Sequence, residues 1–480
     1  MRINFKKLFN RPIPYTPTRE ELCQNIKQAI FTFSIPRFIV QLTQWLWKII
    51  PPILIAIFVW VVVGNFVADR LAVKPNRELE AWIEQHPRQE PNDSALKLWT
   101  YYADLGLRSS TYSTSSSPFS DYGHYLDLDV AFEIKSDNSL SQQQHAEISD
   151  YFDTLKQSNE GELPDIPNST IAYIDDNAEL ILTIAEYITS NKSPLWGIDL
   201  PAFIKDPEGV IPSRLNQASL SKLILLSAIR DIKLSLDGSA QKKLKAVWKL
   251  NESLAHGDML VDQLVSIIIG KDYISCIRRV DPKFLLWYKD LEIFDYRKSL
   301  LKSFEIEVYF QFSFWNKVDA KAIENIGIEP SYFGLTHYRL INQFTLPIVR
   351  PYQRFLAIRN ISSFRKQYNE IYDLISCKTK SSSLDTPFFA PSQLNKGENF
   401  MLELELTHKI LQAKSLSSEI GTWPKKLPNS KSEVCPEEHW IYKVEGNEMS
   451  IEFSTVPDWL PARIESGRSL PLEYHASLQR

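Results

Sequence analysis

A run of 20 residues without a charged side chain constrains this chain more than any other feature. It covers residues 49–68, with the sequence IIPPILIAIFVWVVVGNFVA. At about 1.5 Å of rise per residue, a helix of this length spans roughly 30 Å, the thickness of the hydrocarbon core of a bilayer. Pro51 and Pro52 fall in its first turn, where a missing N–H costs little. The run predicts a transmembrane helix; the alternative is a buried core helix.

The charges before this run predict its orientation. Eight cations and two anions precede it, namely Arg2, Lys6, Lys7, Arg11, Arg19, Lys27, Arg37 and Lys48 against Glu20 and Glu21. Cytoplasmic flanks of membrane helices carry an excess of Lys and Arg, so the first 48 residues are expected in the cytoplasm. The run starts too far into the chain, and is too long, for a cleaved signal peptide. We therefore expect a retained anchor in the inner (plasma) membrane, with the bulk of the chain periplasmic or otherwise extracytoplasmic.

The composition limits the fold and the partners. Only 15 of 480 residues are glycine, which argues against a glycine-dependent nucleotide-binding α/β enzyme and favours long helices. Beyond residue 68 the net charge is near −10, and no basic stripe stands out. A domain of this sign does not attract a polyanion, so nucleic acid is not an expected partner.

The periodicity predicts a mainly α fold. After the transmembrane helix we expect an extracytoplasmic α-helical bundle or short superhelix, closed by a small C-terminal β-hairpin. Predicted helices cover 171–190, 216–236, 239–256, 258–279, 283–302, 340–376 and 399–420. Residues 304–315 (FEIEVYFQFSFW) alternate like a strand, yet they continue a helical region without a turn residue, and we favour a helix there.

The predicted organisation has five parts. They are a cytoplasmic arm with an amphipathic helix (1–48), the transmembrane helix (49–68), a stem and linker (69–124), the mainly α-helical extracytoplasmic domain (125–380), and a C-terminal helix with a β-hairpin and tail (381–480). In the arm, Thr18 and Glu21 form a capping box ahead of the amphipathic stretch.

The C-terminal part combines a helix, a turn and a hairpin. Gly421 can end the helix in a left-handed conformation, a Trp-Pro pair follows, and EGN joins two β-rich runs, HWIYKV and EMSIEFS. Over about 55 residues this arrangement resembles the tail of single-pass bacterial envelope proteins and, more distantly, of type II secretion pseudopilins. The short leader and the glutamate-bearing hydrophobic helix of pseudopilins are not expected here. The resemblance therefore implies a stapled terminal hairpin and not pilus assembly.

The cysteines fit an oxidising compartment. Cys23 lies on the predicted cytoplasmic side, and three cysteines lie outside. Cys276 stands in the apolar context DYISCIRRV, which is typical of an inert buried thiol, whereas Cys377 and Cys435 stand in polar, loop-like sequence. We therefore predict a disulfide between Cys377 and Cys435.

Two sets of residues could carry chemistry. Asp127 and Asp129, in HYLDLDVAFEI, could hold a divalent metal against a nucleotide sugar, as in a membrane-anchored glycosyltransferase. They fit equally well as polar residues on one face of an ordinary strand whose other face is apolar, and we favour that interpretation. His256 and Asp258 similarly fit a helix break better than a catalytic pair. No cofactor is predicted, and no metal either, because none of the eight histidines pairs with another at metal-ligand spacing.

The sequence thus predicts a membrane-anchored envelope protein without enzymatic activity, which acts as a scaffold or assembly protein through contacts with other envelope proteins. The alternative is an anchored transferase or hydrolase that acts on envelope glycans.

Overall fold

The computed structural model describes most of the chain beyond residue 34. The described ranges are 35–107, 140–157, 162–205, 214–285, 287, 294–317, 339–374, 391–457, 460 and 470–478. Residue contacts divide the chain into two units, Met1–Val67 and Ala68–Arg480, and each is described by itself.

One helix carries the apolar run. Helix α1 covers Ile35–Gln85, and its part Trp47–Gln85 is the one helix in the described ranges that is long and apolar enough to cross a membrane. Its large apolar side chains face outward in the first unit, where Trp47 is 77% and Phe58 69% exposed. Little of this segment is buried, whereas the core helix of a soluble protein would be mostly buried.

The second unit is mainly helical. After α1, the described residues form α2 (Asp93–Asp104), α3 (Gln142–Gln157), α4 (Asn168–Asp176), α5 (Ala178–Ser190), α6 (Leu200–Lys205), α7 (Leu215–Lys233), α8 (Asp237–Ala255), α9 (Leu260–Ile277), a 3₁₀ turn (Pro282–Leu285), α10 (Tyr296–Lys317), α11 (Arg339–Leu374) and α12 (Pro391–Ile420).

Helices α7, α8 and α9 pack on one another at the centre of this unit. They match three predicted helices to within a few residues, because each has several apolar side chains per turn and the breaks between them are short. Ile229, Leu250 and Ile274 are among their fully buried residues. Ser235 adopts a left-handed conformation (φ 59°) in the turn from α7 to α8, and Gly257 lies in the break before α9.

The structure corrects two predicted helices. No continuous helix covers 283–302: the described part holds the 3₁₀ turn and then α10, which starts at Tyr296. The Asp295 carboxylate accepts from the N–H of Lys298 and so caps that start. The helix predicted at 171–190 is two helices, because Asn177 leaves helical geometry (φ −109°, ψ 12°) between α4 and α5. For the ambiguous segment 304–315, the favoured helix is confirmed as part of α10.

The C-terminal hairpin is confirmed and belongs to a larger sheet. Strand β1 (Trp440–Glu445) pairs antiparallel with β2 (Glu448–Phe453), and β2 pairs with a third strand that the sequence reading missed, β3 (Glu473–Ser477). Gly421 has the expected positive φ of 75° at the end of α12. One face of the sheet is apolar and buried, and includes Trp440, Ile451 and Tyr474.

The second unit has one hydrophobic core. Residues from the predicted stem (Trp82, Leu98), the helical domain and the C-terminal part (Ile451) all belong to it. Helix α1 therefore enters this core after it leaves the apolar run, since Ala72, Leu79 and Trp82 are buried on one of its faces.

Candidate functional site

An open groove of about 1080 Å³ lies beside the C-terminal sheet. One wall is the last part of α12, with Lys414 and Ser417, and the segment after α9, with Arg279 and Asp281. The other wall is the sheet, including residues 474–478.

Lys414 and Tyr474 join the two walls at the end of α9. The carbonyl of Arg278, at the C-terminus of that helix, accepts from Lys414 Nζ at 2.6 Å and from the Tyr474 hydroxyl at 2.9 Å. An ammonium group is favourable there because the helix dipole places negative charge at this end. Burial lowers the pKa of Lys414 to about 8; Asp281 opposes this shift and Arg279 adds to it. Both side chains line the groove.

Trp423 connects the turn after α12 to the hairpin. It belongs to the Gly-Trp-Pro turn after α12, it is buried, and its indole N–H donates to the carbonyl of Asn447 at 2.8 Å. Asn447 lies in the turn between β1 and β2. The turn and the hairpin are therefore one connected unit, which forms the outer wall of the groove.

Behind the groove, a buried carboxylate of α12 binds the chain near β3. Glu403 is fully buried; it lies 3.2 Å from Lys271 Nζ and accepts from the N–H of Leu470 at 2.8 Å. Arg278 donates to the carbonyl of Glu403 at 2.7 Å and to Thr407 at 2.9 Å. A buried charge with this many partners positions the strand that follows, because breaking the set leaves an uncompensated charge.

A second buried carboxylate, Glu405, binds the loop that contains Cys435. It accepts from the hydroxyl of Ser432 at 2.7 Å and from the N–H of Glu433 at 2.9 Å. Cys435 itself is buried. Its predicted partner, Cys377, lies outside the described residues, so the disulfide stays a prediction.

The charges on the groove are mixed. Arg279, Lys414 and Lys443 supply positive charge, and Glu162, Asp281, Glu445 and Glu448 supply negative charge. Such a lining suits a polar chain with both donors and acceptors better than a polyanion or a lipid tail.

Strand β3 is one edge of the three-stranded sheet, and all three strands contribute residues to the groove. The N–H of Leu478 donates to Asn447 and the N–H of Phe453 donates to the carbonyl of Leu472, which sets the alternation of the ladder. In an antiparallel pair every second residue turns its backbone groups away from the neighbour. By that alternation His475 and Ser477 direct theirs away from β2, and both residues line the groove.

The structure separates the residues that the sequence singled out. Asp127 and Asp129 lie outside the described residues. His256 caps the C-terminus of α8 and packs on Phe294, and Asp258 pairs with Lys302 at 2.5 Å, 44 residues along the chain. In the described ranges, no three His, Cys, Asp or Glu side chains could hold a metal ion.

Cys276 is the buried thiol that the sequence predicted. It is fully buried on α9, and burial raises its pKa to about 12. A thiol of this kind is unreactive at neutral pH, because only the thiolate is a nucleophile.

Sequence reasoning missed the groove residues Lys414 and Tyr474. Neither stands in a motif, and β3 is too short to be distinguished from loop sequence. One sequence signal was available: Lys414 stands in the last turns of α12, where basic residues are common near the end of a helix.

No family model matches this chain, and no curated protein or solved structure matches it either.

Proposed function

We propose that this protein is a single-pass envelope scaffold, with its N-terminus in the cytoplasm, whose extracytoplasmic groove binds an extended segment of another envelope protein. The segment adds to the edge of β3 as a fourth strand. The excess of cations before the apolar run supports the orientation. The resemblance of the tail to that of other envelope proteins supports the compartment.

The observation that carries the binding role is the position of the β3 edge. Exposed sheet edges are usually blocked or covered, because their free backbone groups pair with other chains. Here the edge lines a groove whose opposite wall carries Lys414 and Ser417. Main-chain pairing at the edge would give affinity, and side chains of both signs along the wall would select the partner.

Site-specific photo-crosslinking in the native membrane tests this role. A photoreactive amino acid replaces His475 or Ser477 in the full-length chain, and Thr183, exposed on α5 and not part of the groove, serves as the matched control. We expect the two groove positions to yield the same crosslinked protein and Thr183 to yield none. An equal pattern at all three positions, or no adduct at 475 and 477, would overturn the proposal.

The orientation has its own test. A reporter fused after Arg480 should be active only in the extracytoplasmic space, and cytoplasmic activity would contradict the topology. The alternative of a glycan-modifying enzyme rests on Asp127 and Asp129, and no contact among the described residues favours it. It predicts that alanine at either aspartate abolishes function, whereas the scaffold role predicts no effect.

A further inference from the structure

Two leucines in the turn between α7 and α8 are half-exposed. Leu234 is 50% and Leu236 51% exposed, and Ser235 lies between them. Single exposed apolar side chains are ordinary on a protein surface, but two within three residues form a joint apolar surface. We call residues 234–236 the leucine turn.

Backbone hydrogen bonds hold the leucine turn in one conformation. The N–H of Leu236 donates to the carbonyl of Asp231 at 2.9 Å, and the N–H of Ser235 donates to the carbonyl of Ile232 at 3.1 Å. Together with the positive φ of Ser235, these bonds form a Schellman motif, in which the residue at the place of Leu236 usually packs on an apolar residue one turn back. Here that residue is Asp231, whose carboxylate accepts from Lys243 at 2.6 Å. The internal contact that usually explains such a leucine is therefore replaced by a charged group.

Lys233 connects the start of the leucine turn to one side of the groove. This last residue of α7 donates from Nζ to the carboxylate of Asp165 at 2.6 Å and to the carbonyl of Pro164 at 3.3 Å. The two preceding residues of that segment, Glu162 and Leu163, line the groove. The start of the turn therefore lies beside a part of the groove lining.

Asp237 connects the end of the leucine turn to another part of the lining. Its carboxylate lies 3.3 Å from Lys283 Nζ in the 3₁₀ turn, and Gln241, one turn along α8, donates to the carbonyl of Lys283 at 3.1 Å. The residues just before Lys283, Asp281 and Pro282, line the groove. The two flanks of the leucine turn are thus bound to the two segments that bring residues 162–163 and 281–282 to the groove.

We propose that the segment bound at β3 continues past the groove and packs an apolar side chain on the leucine turn. The inference rests on the proposed function and specifies its partner: an extended peptide with an aliphatic or aromatic residue several positions away from its strand-forming part. In edge-strand recognition the main-chain pairing accepts many sequences, and side-chain contacts supply the specificity. The groove itself is lined by charges of both signs, so an apolar contact at its end adds a selection that those charges do not make.

Photo-crosslinking in the native membrane tests this contact. The full-length chain carries a photoreactive amino acid at Leu236, at His475 as the reference for the groove, or at Leu215 as the matched control. Leu215 is 48% exposed and begins the same helix, roughly 28 Å from Leu234. We expect adducts with the same protein at 236 and 475, and none with it at 215.

A serine variant at both leucines, Leu234→Ser with Leu236→Ser, tests whether the contact contributes to affinity. Serine removes the apolar side chain without adding a charge, and these exposed positions lie outside the core. We expect the adduct at 475 to fall roughly tenfold, because two half-exposed leucines lose their burial against the partner. Leu215→Ser is the control and should leave the adduct at 475 unchanged.

Every other outcome overturns the inference in an identifiable way. An adduct at 475 that is absent at 236, or that the serine variant leaves unchanged, would remove the extended contact and keep the groove as the binding site. No adduct at 475 would contradict the proposed function as well. A second copy of this chain in the adduct at 236 would show that the leucine turn is a contact between copies, and equal adducts at 215 and 236 would show that the contact is not specific.

Discussion

At the residue scale, buried carboxyl groups make the stability of the domain depend on pH. Glu398 of α12 is 3% exposed. Burial raises its pKa from 4.5 to about 7, while Arg297 acts in the opposite direction. Between these two values the folded protein retains a proton that the unfolded chain releases. The free energy of unfolding therefore falls as pH rises from 4.5 to 7, and stays lowered above that.

Glu398→Gln should remove this loss, because glutamine imitates the neutral acid. We expect the variant to equal the parent at pH 4.5 and to exceed it at pH 8 by roughly 1–3 kcal/mol. Chemical unfolding of the full-length protein in detergent micelles at the two pH values measures the difference. Glu419→Gln, at an exposed position of the same helix, is the control. Its free energy of unfolding should differ from that of the parent by the same amount at both pH values. If both variants show the same change in the free energy of unfolding between the two pH values, the pH dependence does not come from Glu398.

At the element scale, one glycine sets the distance between α9 and α12. A β-carbon on Gly270 would collide with the ring of Phe400, which is fully buried. Overpacking of this kind costs about 1–3 kcal/mol, while alanine gains about 1 kcal/mol in helix propensity. We expect Gly270→Ala to lower the free energy of unfolding by about 1–2 kcal/mol.

Gly238→Ala is the matched control for that change. Gly238 lies in the first turn of α8, and a β-carbon there meets nothing within 4 Å. Its substitution should be neutral or slightly stabilising. Equal effects of the two substitutions in the same unfolding experiment would show that the α9–α12 distance is not set by Gly270.

The elements also show what sequence can and cannot predict. Helices α7 to α9 could be read because their apolar period and short breaks are local properties. The buried charged face of α12 could not, because Glu403 is compensated by Lys271 and Leu470, which are distant in sequence. For the same reason the sequence missed β3: its pairing with β2 crosses a connection of about 20 residues. In the candidate site, the hairpin and the turn at Gly421 were predicted, but the opposing wall of Lys414 and Arg279 was not.

At the scale of the whole molecule, the C-terminal segment closes the core. The sheet covers α12 with the apolar face that includes Trp440, Ile451 and Tyr474. The loops around the sheet also supply partners to buried charges of α12: Ser432 and Glu433 for Glu405, and Leu470 for Glu403. Removing it would expose apolar surface and leave two buried carboxylates short of hydrogen bonds, and both effects destabilise the remaining helices.

A chain that ends at Ile420 should therefore not fold cooperatively, although it keeps every helix that the structure describes. Each buried carboxylate that loses its partners costs about 1–3 kcal/mol, and uncovering three large side chains costs several more, which together rival the whole stability of a typical domain. Thermal unfolding followed by near-ultraviolet circular dichroism measures this in detergent micelles. A chain ending at Leu478, which retains all of β3, is the control and should melt like the full-length protein. A cooperative transition of the shorter chain at an unchanged temperature would contradict this prediction. The sheet would then be a module added to a complete helical domain. In that case the core would not hold the groove in shape, and the groove could open and close.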